Sequence, residues 1–200
     1  MSNCYSLKYL KKIGVTLLGK NINISKYARI YNPKNLTIHD NVRIDDFTII
    51  SGNGLINIGN YVHISSNVLM LSGTNIICSK YSNIASGVKL YGKTDDFSGN
   101  YMIGPCYPSI YTNVKKGDII LEPHVILGAS TIVLPNITLK EGTAVASLSL
   151  VHKDTESWSL YGGIPIKLFK EREKNCLVYQ NIIENNIKYN IKYNIHDNKT

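Results

Sequence analysis

Trp and Phe are scarce in this chain, and most of its aromatic residues are Tyr. Aromatic residues make up 9% of its 200 residues, with one Trp and three Phe. A thick globular interior is therefore not the natural reading, and the many β-branched residues suit thin stacked layers. Long apolar runs are missing, and so is a secretory leader pattern, so the expected setting is cytoplasmic with no integral membrane segment. The four cysteines, Cys4, Cys78, Cys106 and Cys176, have neither metal-ligand nor redox spacing. Cys78 reads as a small buried hydrophobe. The formal net charge of +8 fits nucleic acid, a membrane surface or a polyanionic small ligand. No nucleic-acid-reading motif is present, so the small ligand leads.

What the chain does have is a six-residue rhythm. Leu18, Ile24 and Ile30 begin it; Ile38, Ile44, Ile50 and then Ile58, Ile64, Met70 continue it; Cys78, Ile84, Leu90 follow. After residue 119 the series Leu121, Leu127, Val133, Leu139, Val145, Val151 runs without a break. A second ladder two residues earlier carries Ile22, Ala28, Val42, Thr48, Val62, Val68, Ser82, Val88, Val125 and Thr131. A short fixed period marks a solenoid, and a six-residue period marks a parallel β-helix. Early coils hold three such units plus two extra residues, placed at Asn32-Pro33, Ser51-Gly52-Asn53-Gly54 and Ser72-Gly73. These are turn residues. Three units per coil predict a three-sided prism whose alternate residues point inward.

Three further segments follow. Residues 1–17 are expected to cap the open end of the stack, because terminal solenoid edges must be covered. Residues 18–157 form the solenoid, interrupted at 91–118. Residues 158–200 are expected to begin with a turn, Tyr161-Gly162-Gly163-Ile164-Pro165, then a basic helix over 166–173 and a low-complexity tail. A 28-residue interruption of a regular stack is where function is expected. It mixes Asp95, Asp96, Lys115 and Lys116 with Tyr91, Tyr101, Tyr107 and Tyr111, as a polar-ligand site would.

The chain resembles the hexapeptide-repeat acyltransferases, which have a left-handed parallel β-helix, and particularly bacterial sugar and polysaccharide O-acetyltransferases. The matching residues are Asn41-Val42-Arg43-Ile44-Asp45-Asp46-Phe47, Val62-His63-Ile64, Thr94-Asp95-Asp96-Phe97-Ser98-Gly99, His124-Val125-Ile126-Leu127-Gly128-Ala129, Leu134-Pro135-Asn136-Ile137-Thr138 and Tyr161-Gly162-Gly163-Ile164-Pro165. The resemblance implies an all-β fold with a protruding loop and a short C-terminal helix. It implies a homotrimer with sites between subunits, acetyl-CoA as donor, a sugar acceptor and direct transfer.

That chemistry needs a base for the acceptor proton, donors for the oxyanion and a groove for the pantetheine arm. His63, one residue before an inward position, is the first candidate base; His124 is the second. The loop itself contains no histidine, although many relatives carry theirs there. Asp95 and Asp96 could orient a histidine or accept from sugar hydroxyls. The resemblance makes Gly128, Ala129, Ser130, Ala146 and Ser147 the pantetheine groove, and places Pro165, Lys167 and Arg172 near the CoA phosphates. The leading expectation is an O-acetyltransferase acting on a surface polysaccharide, its precursor or a nucleotide sugar. The alternatives are an N-acetyltransferase of an amino-sugar nucleotide and a non-catalytic scaffold. A zinc hydratase would need three converging histidines; His39, His63 and His124 fall in different columns and coils, so it is set aside and no metal is expected.

Overall fold

The computed structural model describes residues 3–193; residues 1–2 and 194–200, the far end of the expected tail with His196, lie outside them. The chain winds as a left-handed parallel β-helix of three faces. The first face stacks Thr16–Leu17, Leu36–Ile38, Ile56–Ile58, Ile76–Cys78, Ile119–Leu121 and Ile137–Leu139. The second stacks Asn23–Ile24, Arg43–Ile44, His63–Ile64, Asn83–Ile84, Ile126–Leu127, Ala144–Val145 and Ser159–Gly162. The third stacks Arg29–Ile30, Ile49–Gly52, Leu69–Ser72, Lys89–Tyr91, Ile132–Val133 and Leu150–Val151.

The registers explain the sequence period. Leu36, Ile56 and Ile76 sit in one column, twenty residues apart, and Ile119 pairs Ile137, eighteen apart. Ile24, Ile44, Ile64, Ile84 and Leu127 form a neighbouring column and are at most 1% exposed. Each such side chain contributes roughly 1.5–3 kcal/mol on burial. One register differs from expectation. Leu17, not Leu18, pairs with Ile38, and Leu18 is 63% exposed. The first corner is one residue longer than the hexapeptide period allows.

The second ladder is also inward. Where it is polar, the hydroxyl is bonded: Thr48 donates to the Ser65 carbonyl at 2.8 Å and Ser82 to the Ser79 carbonyl at 2.8 Å. A buried hydroxyl without a partner would be costly.

Corners turn through left-handed backbone at Asn21, Asn41, Tyr61, Tyr81 and His124 on one edge, and at Phe47, Asn67, Gly87, Ser130 and Leu148 on the next. Asn tolerates this region; Tyr, Phe and Leu do not prefer it. The aromatic residues are held there by one another. Tyr61 stacks on Tyr81 with centroids 5.2 Å apart, Tyr81 on His124 at 5.0 Å, and His124 lies 5.8 Å from Trp158.

The ends are closed differently. At the start, α1 (Leu7–Ile13) is capped by Ser6, whose hydroxyl accepts from Tyr9 N–H, and ends in left-handed Gly14. Its Leu10 is fully buried on the first coil. At the other end, the basic helix expected over 166–173 is a strand. Lys167–Glu171 folds back antiparallel on Ser159–Gly162. The last rung would otherwise leave a row of unpaired amides and carbonyls, and the returning strand satisfies them. The C-terminal helix lies later, as α2 (Cys176–Tyr193).

Candidate active site

The interruption at 91–118 is an arm with a rigid neck. Lys93 and Thr94 pair antiparallel with Lys116 and Lys115. Gly117 donates to the Gly92 carbonyl at 3.0 Å. A Cβ on Gly92 would stand 2.6 Å from the Gly73 nitrogen, so only glycine lets the arm leave this close to the previous coil. Asp118 fastens the return. Its Oδ1 accepts from the Thr74 hydroxyl, from Asn75 N–H at 2.9 Å and from Asn75 Nδ2 at 3.1 Å. The Thr74 hydroxyl is the main reason its carboxyl is held below the usual range; burial opposes this.

The arm folds over the third face and encloses a cleft of about 840 Å³. Leu71, Ile132, Leu134 and Leu150 make an apolar floor, and Tyr91, Tyr107, Lys93 and Asp95 stand around it. That size and mixture suit a ligand with a ring and a few polar groups.

The two expected arm carboxylates have separate jobs. Asp95 lines the cleft. Asp96 is 8% exposed and accepts from the backbone N–H and hydroxyl of Ser98. The Ser98 hydroxyl is first among the causes that hold it below the usual carboxylate range, with Asn113 and Lys115 adding to it against some desolvation. Asp96 therefore shapes the turn that presents Asp95.

Neither candidate histidine lies at this cleft within the subunit. His63 is on the second face. Its Nε2 meets Asp45 Oδ2 at 2.8 Å and its Nδ1 meets Asn83 Oδ1 at 3.1 Å. Asp45 also accepts from Arg43 Nε at 2.7 Å. Burial alone would raise the Asp45 carboxyl, but the hydrogen bonds from His63 and Arg43 outweigh it and hold it low. Both ring nitrogens thus have partners in the column.

His124 is a corner residue in left-handed conformation, sandwiched in the aromatic ladder. Its Nε2 meets Gln180 on α2. From the same helix Glu184 accepts from Lys80 Nζ at 2.9 Å and from the Tyr81 hydroxyl at 3.1 Å. Burial, with Glu184 beside it, pushes the Tyr81 phenol up to about 12. The ladder went unread in the sequence because its members are twenty residues or more apart and only the corner geometry stacks them.

The five small residues expected to form a groove do lie together, on the edge between second and third faces. Gly128 N–H bonds to the Val145 carbonyl at 2.8 Å, Ala146 N–H to Tyr161 at 2.8 Å and Ser130 N–H to Ser86 at 3.0 Å. These three amides are engaged in the coil ladder. A Cβ on Gly128 would reach 2.5 Å from the Ser147 nitrogen, so glycine is required by the close coils there.

Arg172 points back into the solenoid, where its Nη1 donates to the carbonyls of Gly142 and His124. One nitrogen of the guanidinium expected near the CoA phosphates is thus engaged by backbone carbonyls. Lys167 is exposed at the start of the returning strand, and Pro165 lies in the connecting turn after a cis peptide. Among the described residues no cluster of three or more His, Cys, Asp or Glu could hold a metal ion.

No family model matches the chain. It is 40% identical over 176 residues to an Escherichia coli dTDP-4-amino-4,6-dideoxy-D-glucose acyltransferase, covering 88% of this chain and 92% of that protein. It is 41% identical to AntD, an N-acyltransferase from Bacillus cereus solved in complex with dTDP and 3-hydroxybutyryl-CoA. That match covers 94% of this chain and 100% of the other, with a TM-score of 0.88. The fold is shared more distantly with a hexapeptide-repeat acetyltransferase from Vibrio cholerae, at 18% identity and a TM-score of 0.61 over 84% of this chain and 76% of the other. Six-residue columns and near-full-length similarity to these enzymes converge, and the chain belongs to the hexapeptide-repeat acyltransferases.

Proposed function

We propose that this protein transfers an acyl group from acyl-CoA to the amino group of a dTDP-linked 4-amino-4,6-dideoxy sugar. Near-full-length similarity to the Escherichia coli and Bacillus cereus enzymes carries the reading. It replaces O-acetylation, the first expectation from sequence, with the amine-directed alternative.

The cleft supports an amine. A sugar hydroxyl is a poor nucleophile near neutral pH and needs a positioned base, most often a histidine. No histidine lines the cleft among the described residues; Asp95 does. A neutral amine attacks a thioester without prior deprotonation, and the proton leaves after the new bond forms. In this reading Asp95 accepts a hydrogen bond from the amine and so aligns it, takes up the ammonium proton of the tetrahedral intermediate, and passes that proton to the CoA thiolate as the C–S bond breaks, leaving amide, thiol and the original carboxylate. The apolar floor excludes water that would hydrolyse the thioester. His63 orders the second face with Asp45 and Asn83. The edge formed by Gly128, Ala129, Ser130, Ala146 and Ser147 lets a pantetheine arm approach the coil closely, and a trimer would set that edge against a neighbouring subunit.

The test is thiol release with acetyl-CoA or 3-hydroxybutyryl-CoA and dTDP-4-amino-4,6-dideoxyglucose, with product mass measured. An amide product, and no product from the 4-hydroxy analogue, is expected. Turnover of hydroxyl acceptors alone would overturn the reading.

A further inference from the structure

The neck of the arm carries an arrangement that the fold does not need. Lys93 and Lys116 are directly opposite one another in a two-stranded antiparallel ladder. Side chains in such a pair stand about 5 Å apart at Cβ, and like charges there destabilise the ladder. Neither ammonium has a carboxylate within 4 Å among the described residues; the ion pairs present involve Arg43, His63, Lys80 and Lys140. Lys115 beside them is exposed as well. Of the two acids two residues away, Asp118 is engaged by Thr74 and Asn75, and Asp95 lines the cleft with Lys93 without forming an ion pair with it. Two like charges without an ion-pair partner among the described residues are thus placed opposite one another on the neck, and one of them, Lys93, lines the cleft.

We propose that Lys93 and Lys116 form the site for the diphosphate of the nucleotide sugar. The inference rests on the acceptor reading above and extends it to the residues that select a nucleoside-diphosphate acceptor over a free sugar. Lys93 and Asp95 both line the cleft, and two residues of extended chain span about 7 Å, the scale of one hexose ring with its substituents. A sugar whose anomeric oxygen carries the phosphate near Lys93 therefore presents the far side of its ring to Asp95. Two ammonium groups on flexible stems can each meet one phosphate of the pair, and hydrogen bonds between charged partners are short and strong. The bound diphosphate also removes the repulsion between the two lysines, so the neck is stabilised by the ligand it binds.

The experiment is calorimetric titration of wild type, Lys93→Gln, Lys116→Gln and Lys116→Arg with dTDP and, separately, with CoA. Each Gln variant should weaken dTDP binding roughly tenfold, while Lys116→Arg keeps most of it and CoA affinity stays within about twofold. Without ligand, Lys116→Gln should melt at the same temperature or slightly higher, because a like-charge pair is gone. Unchanged dTDP affinity in both Gln variants overturns the inference and leaves the acyl-transfer reading standing if wild type still acylates the amino sugar. Weakened CoA binding with dTDP unaffected also overturns it, since the lysines would then serve the donor. Failure of wild type to bind dTDP at millimolar concentration would instead remove the acceptor reading on which it rests.

Discussion

Replacing Asp118 with Ala should loosen the arm and destabilise the fold in a way that depends on pH. One oxygen, Oδ1, collects the Thr74 hydroxyl, Asn75 N–H and Asn75 Nδ2. A hydrogen bond to a charged group contributes about 1.5–3 kcal/mol when shielded. Asp118 is half-buried and its three donors share one oxygen, so screening reduces the cluster to about 2 kcal/mol in total. For a chain of this size that is a fall of about 4–8 °C in Tm. Asp118→Asn keeps an acceptor oxygen and loses the charge, so about half the loss is expected. The carboxyl is held below its usual value in the folded protein. Its contribution is therefore fully present above the unfolded carboxylate value of about 3.9, and is lost as pH falls through the lower folded value. Urea unfolding at pH 7 and at pH 2.5 checks this. A deficit of under about 0.5 kcal/mol at pH 7, or an equal deficit at both pH values, would refute the reasoning.

Three other outcomes are expected. Asp95→Asn should lower kcat about 10–100-fold with little change in Tm, because the amine needs alignment more than a strong base, whereas Asp96→Asn should act mainly on the thermal stability of the arm, read by proteolysis at 97–112. His63→Ala should keep more than about a tenth of wild-type kcat; a near-complete loss with intact CoA binding would return the base to His63. Gly142→Ala should cost about 2–4 kcal/mol, since it joins a left-handed φ of 70° to a Cβ placed 2.3 Å from the Trp158 ring, and a denaturation midpoint indistinguishable from wild type would sink that account.

The solenoid was legible because its cause is periodic. A residue at each sixth position must be buried, and any chain that keeps Ile44, Ile64 and Ile84 in one column displays that need in one dimension. The exceptions are instructive. Leu18 obeys the period yet faces solvent, because the first corner contains one residue more. The run 166–173 has helical composition, but an open sheet edge is a stronger demand than local propensity, and it pairs as a strand. The corners carry the least readable information. Tyr61, Tyr81, His124 and Trp158 look unrelated in sequence and become a stack only when the coils are laid on one another.

The same distinction separates the two parts of the site. The arm at 91–118 was legible as an interruption of the period, whereas the different surroundings of Asp95 and Asp96 depend on which side of a turn each faces. Adjacent residues in extended chain point oppositely, so one carboxylate is spent on Ser98 and the other is left to the cleft. The histidines lead to the same conclusion. An imidazole useful as a base needs a free nitrogen near the acceptor. His63 has both nitrogens occupied on another face, and His124 is held between Tyr81, Trp158 and Gln180. Both imidazoles are engaged by the coils and α2 while a carboxylate lines the cleft, and for the proposed transfer to an amine that carboxylate is the group suited to a nucleophile that attacks before it loses its proton.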